Sequence, residues 1–432
     1  MTAKSINSGT IKSVVLRNAL TAENGMRSIE ISDLVTEFDI YQSIQVPFMT
    51  GKLLIVDGIS LLDSIMLIGN EQVDVTIETK STSGEYEKID ISFISTGIEK
   101  LEKRGNTNAY ILSLGSAHFV ANAHKRINQA YEGSSSEIIK NILVNDLKLT
   151  ENQLDIEQTT DNKKIVVPAL KIADALMWIT RRAYSESKTP CFIYEYLDGG
   201  MGFNSLKKMY DRDAIFSYYR VDSKSTDPKS TYNQIIDVQF DNVGSGYKNI
   251  SNGMYSAKVY AFDVMTKQMI EKDFNLLEDD STENLLNDVL PTPSLTIDEK
   301  TFFKLPDNKV YELFTSSDGS NSDRQEITGV NELIGDYHTN AEYYVPYMNS
   351  KLMQLENYTM TITVEGNVNI FPGAIMNIVF PSTTNLIKGT VKQVDNMYTG
   401  KYLVTGIRHM ITAQSHLSYV QIAKDSFRVG AK

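Results

Sequence analysis

Apolar and polar residues alternate along the first 117 positions in short runs. Val73, Val75 and Ile77 are separated by Asp74 and Thr76, and Ile89, Ile91 and Phe93 repeat the spacing. A period of two gives a strand one buried face and one wet face. Comparable runs lie at 28–31, 35–41, 52–57 and 110–114, with turn residues at 81–85 and 104–106 between them. The pattern predicts an antiparallel β module over 1–117.

From His118 the period changes. Ser134 with Glu137 reads as a capping box, and Ile138, Ile142 and Leu143 follow at helical spacing. A second helix follows Pro168, with Ile172, Leu176, Ile179 and Ala183 on one face and Trp178 beside it. A hairpin then turns at Asp198-Gly199-Gly200, so 118–226 reads as an α+β middle domain. Strand character returns at 235–240 and 255–262 and again over the last 75 or so residues. Between them, 275–356 reads as an insertion holding an acidic segment, an exposed Ser/Asn-rich loop and a short helix over 343–355, with a start after Pro346 as the alternative.

The two ends can be laid over one another. Strand 52–57 leads to Leu67-Ile68-Gly69 and a strand at 73–77; strand 359–364 leads to Phe371-Pro372-Gly373 and a strand at 375–380. Thr96-Gly97-Ile98 then corresponds to Thr405-Gly406-Ile407, and each is followed by one more strand, at 110–114 and 419–423. A glycine before a strand suits a tight turn, and one inside a strand suits a bulge that curves a sheet. Either β patterning has converged or the module is duplicated; the expectation is a mainly β fold with two similar antiparallel β-barrels and a mixed middle domain. The barrels are assigned to 1–117 and, discontinuously, to 227–274 with 357–432.

Composition narrows the function. The chain has 432 residues, 41% apolar and 22% charged, with a net charge of −12. Such a surface repels phosphates and argues against a nucleic-acid binder, though not against a passage DNA moves through. Residues 1–20 contain no continuous apolar stretch, and the apolar runs are far short of the ~20 residues needed to span a bilayer. The lone Cys191 excludes an intrachain disulfide and reads as a small buried hydrophobe. His118, His124, His338, His409 and His416 form no i, i+4 pair; His409 and His416 face one another across a hairpin, which reads as two polar strand-end residues before it reads as a metal site. Asp279 and Asp280 are acid/base candidates only in the sense that any of 54 acidic residues is, and Asp198 is explained by its turn. No catalytic, cofactor-binding or metal residue is therefore expected. The 23 tyrosines suit either protein interfaces or strand propensity.

Four stretches resemble the baseplate central hub protein of contractile-tailed bacteriophages, related in architecture to the base of type VI secretion spikes. They are Pro47 to Asp57 with Leu67-Ile68-Gly69-Asn70-Glu71; Ile165-Val166-Val167-Pro168 with Phe192-Ile193-Tyr194-Glu195 and Gly202-Phe203-Asn204-Ser205-Leu206; Ser251-Asn252-Gly253-Met254-Tyr255-Ser256 with Phe262-Asp263 and Thr266-Lys267; and Gly366, Pro372-Gly373, Gly400-Lys401-Tyr402-Leu403-Val404 and His409. Their order along the chain carries the resemblance, and 275–340 departs from it.

The resemblance implies a homotrimeric ring with two tube-like barrels per chain, matching a sixfold tail tube to a threefold spike around a DNA channel. The partners it implies are other copies of the chain, the central spike protein, tail tube or tube-initiator proteins, baseplate wedge proteins and the tape measure protein, with DNA only in transit and no membrane insertion. Loops 81–87 and 385–399 are expected ring-to-ring contacts. The alternatives are a tail-associated cell-wall hydrolase, with its chemistry in the middle domain, and a receptor- or carbohydrate-binding tail protein.

Overall fold

A computed structural model describes residues 9–21, 25–80, 86–105, 107–183, 185–220, 233–244, 246–263, 267–276, 284–292, 296–297, 300–301, 309–315, 341–381 and 394–428. The acidic residues Asp279 and Asp280, His338, most of the Ser/Asn-rich loop and most of the two loops expected to make ring contacts lie outside them.

The N-terminal strands are β1 (Thr10–Thr21), β2 (Gly25–Glu30), β3 (Val35–Ser43), β4 (Thr50–Asp57), β5 (Ile65–Met66), β6 (Gln72–Lys80), β7 (Tyr86–Arg104) and β8 (Thr107–Gly115), with a one-turn helix α1 (Leu61–Ser64) before β5. Alternation places Val73, Val75 and Ile77 inward, packed with Phe38, Leu53, Phe93 and Leu112 in one core. The middle of the chain follows: α2 (Ala117–His124), β9 (Arg126–Gly133), α3 (Ser135–Asn145), β10 (Leu154–Ile156), β11 (Lys163–Lys171), α4 (Ile172–Thr180), β12 (Cys191–Glu195), β13 (Met201–Ser205) and α5 (Leu206–Tyr210). The capping box forms as the sequence predicts: Ser134 Oγ accepts from Glu137 N, and Ser134 N donates to Glu137 Oε2. Ile139, Ile142, Leu176 and Ile179 bury the facing sides of α3 and α4 in a second core.

β14 (Ala214–Tyr219), which the sequence assigns to the middle domain, runs parallel to a C-terminal strand. After it come β15 (Ile235–Val243), α6 (Gly246–Ser251), β16 (Ser256–Asp263), β17 (Gln268–Asn275), the two-residue β18 (Thr296–Ile297) and β19 (Lys300–Thr301), and β20 (Val310–Thr315). α7 (Ala341–Asn357) leads into β21 (Tyr358–Glu365), β22 (Ile375–Val379), β23 (Gly400–Thr412) and β24 (His416–Lys424). The helix expected over 343–355 extends two residues further at each end, and the alternative start after Pro346 is corrected, since the proline sits inside the helix. Being near the start, the proline removes a single intrahelical bond, and packing of the helix against the β17–β16–β20 sheet tolerates it.

Most strands belong to a single 14-stranded sheet whose path is β15-β21-β24-β23-β3-β4-β8-β7-β6-β1-β2. The fold is mainly β with large antiparallel sheets. The path contains the same run twice: β3-β4-β8-β7-β6 at one end, and β15-β21-β24-β23, continued by β22, at the other. Irregularities match as well as order. The β7–β8 ladder slips between Ser95 and Gly97, and the β23–β24 ladder slips between Val404 and Gly406. The β3–β4 ladder slips between Val35 and Glu37, and the β15–β21 ladder slips between Ile235 and Asp237. Bulges are positional features of a fold, and two at corresponding steps separate duplication from converged patterning. The structure thereby adds β3 and β15 to the repeat, which the sequence showed only from β4 and β21 onward. The copies differ at one flank, where β1 is antiparallel to β6 and β14 is parallel to β22.

Candidate functional site: the junction between the two sheet copies

The copies join where β23 pairs antiparallel with β3, from Gly406 opposite Ser43 to Thr412 opposite Glu37. β23 is long because the bulge at Gly406 turns its second half away from β22 and onto β3. A single arginine locks the seam. Arg408 Nε donates to Asp39 Oδ1 at 3.0 Å, and its Nη2 donates to Asp39 Oδ2 at 2.9 Å and to Glu37 Oε1 at 3.1 Å. The fork-on-carboxylate geometry fixes register as well as charge. Its guanidinium also lies 5.4 Å from the Tyr419 ring centre and 5.8 Å from that of Tyr41. Tyr41 OH donates to Asp39 Oδ2 at 3.0 Å, and burial followed by Asp39 pushes its phenol up to about 12. Burial and the neighbouring Asp39 raise the Glu37 carboxyl, while hydrogen bonds to Asp39 hold the Arg408 guanidinium above its ordinary range.

A buried histidine pair crosses the same boundary. His416 Nε2 stands 3.3 Å from His409 Nδ1, and His416 Nδ1 stands 2.9 Å from Thr79 Oγ1 on β6 of the other copy. His409 Nδ1 is also 3.0 Å from Ser418 Oγ. Both rings are buried, and burial lowers both imidazoles, His409 to about 4. The hairpin brings the two rings together as the sequence suggested, tilted at 53° with centres 5.4 Å apart. Among the described residues no three of His, Cys, Asp and Glu gather as metal ligands.

The middle module grips both copies. Glu195 Oε2 accepts from Met49 N at 2.7 Å and from Ser116 Oγ at 2.8 Å, its Oε1 is 2.7 Å from His118 Nδ1, and its backbone carbonyl accepts from Gln42 Nε2 at 3.0 Å. On the other side, Arg212 Nη1 donates to Gly373 O at 2.8 Å while Nη2 donates to Asp155 Oδ2 at 3.0 Å. The β12–β13 hairpin and the turn after α5 therefore tie the middle module to both copies.

The remaining reactive-looking groups serve structure. Cys191 is buried, and burial pushes its thiol far up, away from the thiolate a nucleophile needs. Asp198 Oδ1 accepts from Gly200 N at 2.9 Å within its turn. His124 is the exposed last residue of α2. A buried Lys163 donates to Ser135 Oγ at 2.9 Å beside Asp161, but all three are sealed in the core between β11 and α3. Arg408, Glu195, Arg212 and the Asp161–Lys163 pair were not singled out from sequence. The available signal was a lone charge inside an apolar strand, as with Arg408 in the run from Tyr402 to Ile411 and Glu195 after Cys191-Phe192-Ile193-Tyr194.

No family model matches the chain. It is 21% identical over 415 residues to the probable baseplate hub protein of Vibrio phage KVP40, covering 92% of this chain and 91% of that one. Among solved structures it resembles the 43 kDa tail protein of prophage MuSo2 from Shewanella oneidensis, with a TM-score of 0.52 at 8% identity over 96% of this chain and 99% of that one. It also resembles the tail protein from Neisseria meningitidis MC58, with a TM-score of 0.51 at 11% identity over 96% and 97%. The structural likenesses show the fold. The resemblance to phage baseplate hub proteins read from four stretches of sequence thus extends over 92% of the chain, on a fold shared with tail proteins.

Proposed function

We propose that this chain is a structural subunit of a phage tail baseplate hub, placed in the virion, and that it acts by assembly instead of catalysis. The observation that carries the reading is the duplicated strand run with its matched bulges. Two similar sheets in one chain can occupy quasi-equivalent places, so three chains present six copies around one axis. That arrangement joins a sixfold tail tube to a threefold central spike and leaves a channel for DNA, which the net charge of −12 would keep from adhering. The 1–117 and 227–274 with 357–432 units are the two ring modules, the second carrying β16 and β17 as a side sheet with β20; 118–226 is the clamp between them, its β14 joined to the second module, and wedge and tape measure proteins are the further partners. The test is the mass of the purified chain by light scattering at micromolar concentration. A trimer is expected; a strict monomer that stays monomeric with its spike protein overturns the ring. A peptidoglycan zymogram with cleared bands from the purified chain would overturn the non-enzymatic reading.

A further inference from the structure

Each sheet copy has an edge that the other copy uses. β23 presents Gly406–Thr412 to β3, and the backbone of the corresponding part of β7, from Gly97 onward, forms a ladder only with β8 among the described residues. β3 lies between β4 and β23, and its counterpart β15 pairs only with β21 among the described residues. The two free edges are the two halves of the occupied junction. Burial follows the same division. β3 is buried at Phe38, Asp39, Ile40 and Gln42, whereas β15 is exposed over most of its length; Ile407, His409 and Ile411 of β23 are buried, whereas residues 98–103 of β7 are exposed.

We infer that the β7 edge of one chain pairs antiparallel with the β15 edge of a second copy, repeating between chains the β23–β3 junction made within each. The inference rests on the ring reading above and names the surface that closes the ring. Register follows from the repeat. Ile407, one residue past Gly406, faces Gln42, so Ile98, one residue past Gly97, faces Val243. Each of these two side chains is 39% exposed in the single chain. β7 carries an extra residue between Glu99 and Glu102, and β15 carries one between Phe240 and Asn242. The two insertions fall at the same step, so the register recovers beyond them. They place Lys100, in a left-handed turn at φ 51°, against Asp241, and Leu101 against Phe240, which are 48% and 40% exposed. Apolar side chains on an exposed strand edge invite a partner strand, and charges of opposite sign set its register. Because the two surfaces differ, the contact is head-to-tail and closes only as a ring.

The full-length chain with Ile98→Cys and Val243→Cys tests this directly, because directly paired antiparallel residues sit at disulfide distance. Mild oxidation followed by non-reducing electrophoresis should give interchain disulfides up to a covalent trimer, with neither single variant doing so. A chain that is trimeric by light scattering but does not cross-link overturns the edge pairing and leaves the ring standing. Covalent species longer than three chains uphold the edge and overturn the trimeric ring, and a monomer that never cross-links overturns both. In a second variant, Ile98→Lys, the exposed site should leave the chain folded by circular dichroism and shift it to monomer; a retained trimer counts against the pairing.

Discussion

Gly69 and Gly373 share a backbone φ of +81°, each in the turn before a strand that pairs with the bulged strand of its copy. A Cβ in this region costs about 1–2 kcal/mol. At Gly69 the added atom would meet nothing closer than Thr96 O at 3.4 Å, whereas at Gly373 it would lie 2.7 Å from Met209 Sδ and 3.0 Å from Tyr194 OH. Gly69→Ala should therefore cost about 1–2 kcal/mol and Gly373→Ala roughly 1 kcal/mol more. Denaturant midpoints of the two variants check the order; equal midpoints would remove the crowding argument.

The histidine pair makes the module boundary sensitive to acid. Both rings are neutral in the folded chain because burial disfavours imidazolium, His409 titrating at about 4 against an ordinary 6.5. Between these values the unfolded chain binds more protons, so stability is full above pH 6.5 and falls as the pH drops towards 4. The His409 contribution lost is on the order of 3 kcal/mol. The expected result is a denaturant midpoint that declines from pH 7 to pH 5 and declines less steeply in a His409→Gln, His416→Gln double variant. Parallel slopes for the two proteins would show that the pair does not supply the sensitivity.

In the middle module, Lys163 Nζ lies 2.5 Å from Asp161 Oδ2, and Asp161 also accepts from Ser135 N at 3.0 Å and Ser135 Oγ at 2.6 Å. Burial alone would raise the Asp161 carboxyl, but Lys163 and the nearby hydroxyls outweigh it and hold it below its ordinary value. Lys163→Met strands a buried carboxylate and should cost about 3–5 kcal/mol. Adding Asp161→Asn should recover part of that loss in the double variant. A thermal melt of the single and double variants decides it, since simple additivity would mean the two groups act independently.

How much of this was legible beforehand depended on how far apart the interacting groups lie along the chain. Alternation at Val73, Val75 and Ile77 placed β6 and its buried face, and Ser134 with Glu137 placed the start of α3, because both signals are local. The glycine pairs exposed the second half of the duplication because turns and bulges demand particular backbone. The start of α7 stayed open between Tyr343 and the residue after Pro346 because a proline near a helix start is locally a natural first residue, and packing against β16 and β20 carries the helix further back. The seam was invisible for another reason. Arg408 meets Asp39 and Glu37 across most of the chain, and nothing local to either segment encodes that meeting.

Gly97 and Gly406 therefore mark the boundary between the two kinds of information. By itself the sequence determined most strands of the two end modules, their bulge glycines and that the pattern occurs twice, since periodicity and glycine act over a few residues, whereas β9, β11, β14, β17 and β20 were not read from it. Only the tertiary structure decided that one bulged strand finds β3 within its own chain while its twin, among the described residues, has no second strand along the matching edge. Strand edges pair by backbone hydrogen bonds that nearly any sequence supplies, so choice of partner comes from tertiary placement, here with Glu195 bonded to one copy and Arg212 to the other.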